Sequence, residues 1–128
     1  MKTLCFPLAL LALLFVQFFS SCSKDDESYT GEIVIWYDEE TSNSLVAAGV
    51  PTLTYYVDNQ VIGSTATNVF WTGVPDCGQN GSITIEKDLG SSESKNFPYR
   101  IVTDSGDELW KGELLFEANT CTSQRLNI

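Results

Sequence analysis

Histidine is missing from this chain of 128 residues. That absence removes Ser-His-Asp and Cys-His triads and the commonest general base at neutral pH. Zinc sites completed by imidazole go with it. Basic residues are scarce: 7 Lys and Arg stand against 17 Asp and Glu, a net charge of −10. A surface of that sign repels nucleic acid and anionic membrane rather than recruiting them. Cationic peptides and divalent metal ions remain electrostatically permitted. No long helical period occurs, and no low-complexity segment. Beyond residue 19 there is no long apolar run.

What is present begins with that one run. Lys2 precedes an apolar stretch from Thr3 to Phe19, and Phe19-Ser20-Ser21 leads into Cys22. A charged start, an apolar centre and small residues at the break read as a secretory signal. Spanning a bilayer takes about 20 apolar residues, and Pro7 and Gln17 interrupt this run. A cysteine directly after the small residues resembles the signal of bacterial lipoproteins. The resemblance implies removal of residues 1–21 and acylation of Cys22, with palmitate-type chains, as the mature first residue. Lys24-Asp25-Asp26-Glu27 is similar to the export signal of Bacteroidetes lipoproteins that face outward from the outer membrane. Residues 22–30 are then a lipidated acidic tether, and 31–128 a single domain.

The sequence holds 4 cysteines. Cys5 falls in the leader and Cys22 is the lipidation site, which leaves Cys77 and Cys121. Two thiols in an exported domain are expected to form a disulfide. Cys-x-x-Cys spacing is absent, which argues against a redox or metal role.

The domain reads as β throughout. Ile33 to Tyr37 and Leu53 to Val57 are β-branched and aromatic, which suits strands. Asp38 to Asn43 is expected as a polar loop, followed by a single helical turn at Leu45–Gly49 before Pro51. Asp58-Asn59 marks a tight hairpin. Val69-Phe70-Trp71 is expected as a short strand entering a turn-rich stretch that contains Cys77. Ile83 and Ile85 alternate toward the core. Gly90 to Asn96 reads as a polar loop, Asp104 to Asp107 as a hairpin turn, and Arg125 to Ile128 as the last strand. About seven short strands with turns between them predict an all-β fold, a small antiparallel sandwich of Ig-like or PEGA-like type.

Trp36-Tyr37-Asp38, Leu53 to Asp58, Trp71-Thr72-Gly73 and Pro75 to Gly78, with the leader, resemble a group of small Bacteroidetes lipoproteins. That likeness implies no activity and no site residues. Tyr56 to Thr65 and Gly81 to Gly90 are similar to the PEGA repeat of envelope proteins. The similarity implies a small, usually non-catalytic β-sandwich.

Several spellings of chemistry compete with plainer readings. Ser92-Glu93-Ser94-Lys95 spells Ser-x-x-Lys, but that motif needs a helix in a much larger domain. Paired carboxylates could serve glycoside hydrolysis, yet acidic pairs arise freely in so acidic a chain. Asp104, Asp107 and Glu108 crowd one turn and Asp38, Glu39 and Glu40 another, weak candidates for calcium without a recognised loop. Trp36 and Trp110 sit among apolar strand residues, as core tryptophans do. Trp71 borders the cysteine-bearing loop. It is either a cover on the end of the sandwich or part of a binding face. Tyr55 and Tyr56 point to opposite sheet faces.

The expectation is therefore a non-catalytic, cofactor-free envelope module that binds protein or glycan, with Trp71, Tyr56 and Asp76 as candidate contacts. The alternatives are a structural subunit that pairs through a sheet edge, a small calcium-binding domain, and a hydrolase.

Overall fold

The computed structural model describes residues 27–128. The leader, Cys22 and the Lys24, Asp25 and Asp26 part of the expected export signal lie outside these residues, whereas Glu27 is exposed at their start. Among the described residues no helix is long and apolar enough to cross a membrane.

Seven strands and one helix follow in the order β1 (Tyr29–Trp36), α1 (Glu39–Ala47), β2 (Thr52–Val57), β3 (Gln60–Ala66), β4 (Ile83–Gly90), β5 (Ser94–Thr103), β6 (Glu108–Glu117) and β7 (Cys121–Arg125). They form a three-stranded sheet, β4-β1-β7, and a four-stranded sheet, β3-β2-β5-β6. Alternation along each strand turns one set of side chains inward. Ile33, Ile35, Leu53, Tyr55, Ile85, Ile101, Leu114 and Phe116 thus meet in one core. Phe97 and Phe116 pack edge to face there, with ring centres 5.4 Å apart. The expected all-β sandwich is the observed architecture, with one departure from antiparallel order: β7 runs parallel to β1.

Asp58 and Asn59 form the β2–β3 hairpin with φ of 53° and 61°. Both residues stand in the left-handed region that a two-residue primed turn demands. At the same end Gly31 is a necessity of packing. A Cβ there would stand 2.6 Å from the carbonyl oxygen of Glu117, so β1 and β6 approach more closely than any side chain allows.

Five sequence expectations need correction. The polar stretch after Tyr37 is a nine-residue helix, capped by Asp38, whose carboxylate accepts from the Thr41 amide at 3.1 Å. Glu39 and Glu40 complement the positive end of its dipole. Val69 to Trp71 makes no ladder and belongs to an irregular connection from 67 to 82. The loop expected at 90–96 shrinks to 91–93, because Ser94, Lys95 and Asn96 pair with Glu117, Phe116 and Leu115 of β6. The last strand lies at Cys121–Arg125, earlier than its apolar tail suggests, because β1 offers it a free edge. The sheet also begins at Tyr29, inside the stretch assigned to the tether.

The connection between β3 and β4 lies across the outer face of the smaller sheet. Cys77 is disulfide-bonded to Cys121, with Cα atoms 6.0 Å apart. The Gly78 amide donates to Thr84 Oγ1 at 2.9 Å. Those two anchors sit on the strands flanking β1, opposite Glu32 and Val34. This cover accounts for β1 being buried on both faces: Val34 and Trp36, which point away from the core, are 1% and 8% exposed.

Candidate docking face

β1 runs from Tyr29, near the start of the described residues, to the end where α1 begins, a span of about 26 Å for eight residues. At that far end α1, its exit at 48–51 and the start of the 67–82 connection form a cap. The exit of α1 is a Schellman motif. Gly49 takes φ of 77°, its amide donates to Val46 O, and the Val50 amide donates to Leu45 O. Pro51 then prevents the helix from continuing.

Buried hydroxyls fasten the cap. Thr67 Oγ1 donates to Val50 O and Ser42 Oγ donates to Thr67 O, each at 2.5 Å, while the Thr67 amide donates to Pro51 O. Thr41 Oγ1 donates to Leu126 O, and Arg125 is ion-paired with Asp38. The Thr41 amide holds the Asp38 carboxyl below its ordinary range, with further help from Arg125. Helix, connection and the end of β7 are therefore one hydrogen-bonded unit.

Beyond the acidic first turn of α1, this unit exposes several apolar side chains. Val46, Val69 and Val74 are 52%, 56% and 59% exposed, and Phe70 is 36% exposed. An open groove of about 390 Å³ runs between Val46, Gly49, Val50, Pro51, Thr67 and Asn68. From Thr41 to Pro75 the sequence carries a single charge, Asp58, and that residue sits in the hairpin at the opposite end. A charge-poor surface with aromatic and aliphatic side chains has the composition of an interface core. At the opposite end an open groove of about 600 Å³ beside Tyr29 includes Glu93, Glu117 and Asn119, a polar gap between turns.

Trp71 is half-buried in the cap. Its amide donates to Tyr37 O at 3.1 Å. With Val69 and Ile83 it closes a cavity of about 20 Å³ over Tyr37, Tyr55 and Thr65, room for about one water. Tyr55 Oη and Thr65 Oγ1 are 2.9 Å apart, and Tyr37 Oη donates to Ala66 O at 3.0 Å. Burial raises both phenol pKa values above the usual range, and the Thr65 hydroxyl opposes that rise. Trp71 covers the end of the sandwich, and Phe70 beside it presents the more exposed ring.

The other candidates do not gather around it. Asp76 is exposed in the same connection, where its amide donates to Gln79 Oε1 at 3.0 Å. Tyr56 lies on the outer face of the four-stranded sheet, remote from the cap, with the Arg100 guanidinium 3.9 Å over its ring. Trp110 is half-buried, donating from Nε1 to Asn127 O. Asp107 accepts from Ser105 Oγ, and its amide donates to Thr103 Oγ1, which is turn chemistry. Asp104 and Glu108 are exposed beside it. Among the described residues no three His, Cys, Asp or Glu side chains converge on a point that would hold a metal ion. Ser92 to Lys95 spans the β4–β5 turn and the start of β5, not a helix. The sequence reading missed Val46, Phe70 and Val74; the run from Thr41 to Pro75, charged only at Asp58, was the available signal.

Comparison with family models, curated proteins and solved structures gives no match.

Proposed function

We propose that this chain is a lipid-anchored, outward-facing envelope protein without catalytic activity, and that it binds a partner through the cap formed by α1 and the β3–β4 connection. One observation carries the reading. α1 and the β3–β4 connection carry the exposed apolar side chains Val46, Val69, Phe70 and Val74, and Val46 lines an open groove where α1 leaves the end of β1 that lies away from Tyr29. A domain held by acylated Cys22 would present that end away from the bilayer. The tether from Ser23 to Ser28 adds reach of about 20 Å at full extension. Acylation at several positions anchors a protein firmly where one chain does not.

The test has two parts. Fatty-acid labelling should mark the protein and fail on Cys22→Ala, and protease added to intact cells should remove the domain. Affinity capture from native envelopes should retain a partner that Val46→Asp and Val74→Asp lose without loss of thermal stability. A domain cleaved only after lysis would overturn the outward orientation. Capture unaffected by either aspartate would overturn the cap as the contact face.

A second reading, pairing through a sheet edge, draws on β7, which among the described residues has β1 on one side and no ladder on the other. Proline at Ser123 would block an added strand there.

A further inference from the structure

We propose that the outer face of the four-stranded sheet holds a binding site for a single oxyanion, a carboxylate or phosphate group, between Arg100 and Lys111. The site is separate from the cap and does not depend on it.

The strand register puts Tyr56, Arg100 and Lys111 in one row across β2, β5 and β6. They face away from the core, since Tyr55 and Ile101 occupy the buried side. Residues 27–128 contain five Lys and Arg against 15 Asp and Glu. Lys87 lies 3.9 Å from Asp58, and Arg125 is paired with Asp38. Among the described residues neither Arg100 nor Lys111 has a carboxylate within 4.0 Å. Instead these two cations stand directly opposite each other. Like charges opposed across a ladder are destabilising, and a chain so rich in acid had many residues of the other sign to put there.

The stack on Tyr56 orients the arginine. Its guanidinium carbon lies 3.9 Å over the ring centre, a contact that restrains the side chain on the sheet surface. No acceptor among the described residues takes a hydrogen bond from it. An oxyanion lodged between fork and ammonium would accept charge-assisted bonds from both and cancel their mutual repulsion. Glu113 shares this face of β6 two residues beyond Lys111, so it opposes a second negative group. The site thus suits one isolated carboxylate or phosphate rather than a dense polyanion.

The sequence has two arginines, Arg100 and Arg125. In the mature full-length protein in neutral detergent, the Nε–Hε region of an NMR spectrum then carries two side-chain signals, and the Asp38-paired Arg125 is an internal reference. Inorganic phosphate and acetate are titrated separately at constant ionic strength and pH 7. The expected result is a saturable shift of the Arg100 signal while Arg125 stays still. Lys111→Ala should weaken that binding about fivefold or more, through loss of one charge-assisted contact, and Lys95→Ala should not. A response to one anion alone supports the proposal and names the group. Parallel, unsaturating drift of both signals means ionic screening only and overturns it. So does an Arg100 titration unchanged by Lys111→Ala, or no shift with either anion.

Discussion

Replacing both Cys77 and Cys121 with serine removes the covalent link between the β3–β4 connection and β7. The two residues are 44 apart in sequence, and the loop they close contains β4, β5 and β6. In the chain-entropy account a loop of that length stabilises the folded state by about 4 kcal/mol. A domain of this size holds about 5–15 kcal/mol in total, so the link is a large share of the whole. The Gly78–Thr84 hydrogen bond would still hold the connection over Val34 and Trp36. The loss therefore falls mainly on the unfolded ensemble, which becomes less restricted. Urea unfolding followed by tryptophan fluorescence and circular dichroism checks this. The serine variant should lose about 3–4 kcal/mol, and its m value should rise because the unlinked unfolded chain exposes more surface. A loss below about 1 kcal/mol with an unchanged m value would refute the reasoning. Collapse of the native sheet signal would refute it differently, by showing that the connection cannot stay seated without the bond.

Gly31→Ala puts a methyl against the Glu117 carbonyl and should cost about 1–3 kcal/mol as β1 and β6 are forced apart, read as a lower urea midpoint. Thr67→Val leaves the Val50 carbonyl without its donor inside the cap and should cost about 1–3 kcal/mol, with nearly normal sheet content by circular dichroism. Stability should fall at both extremes of pH. Asp38 and Asp88 have lowered pKa values, Asp38 chiefly from the Thr41 amide and Asp88 chiefly from the Gly90 amide. Their contribution is present above the ordinary carboxylate range, about pH 4, and is lost as pH drops through the lowered values. Tyr37 and Tyr55 have raised values through burial, so their contribution is present below about pH 10 and is lost as pH climbs beyond it. A thermal-melt series from pH 2 to 11 that stayed flat at both ends would contradict both assignments.

The sheets were legible in the sequence where alternation and turn chemistry agreed. Ile33-Val34-Ile35, Tyr55 with Tyr56, and Asp58-Asn59 each had one consistent reading, and the cysteines left only one pairing. The helix was hidden because Thr41, Ser42, Asn43 and Ser44 are poor helix formers taken singly. Its evidence lay in its ends, with Asp38 before two glutamates and Gly49 before Pro51. Local propensity also failed for Ser94 to Asn96 and Cys121 to Gln124, polar stretches that become strand because a neighbouring strand supplies their partners. The cap was the least legible part. It joins residues from 42, 50 and 67, and their hydroxyl bonds leave no mark in any one segment.

The parallel seating of β7 against β1 has a mechanical consequence. A pull applied to the chain that precedes Tyr29, against a hold on the cap, acts along the length of β1. The ladders to β4 on one side and β7 on the other are then loaded in shear, so their bonds must fail together and not one at a time. Such a strand resists extraction by force better than one peeled from its end, and its lifetime under load follows the unfolding rate and not the equilibrium stability.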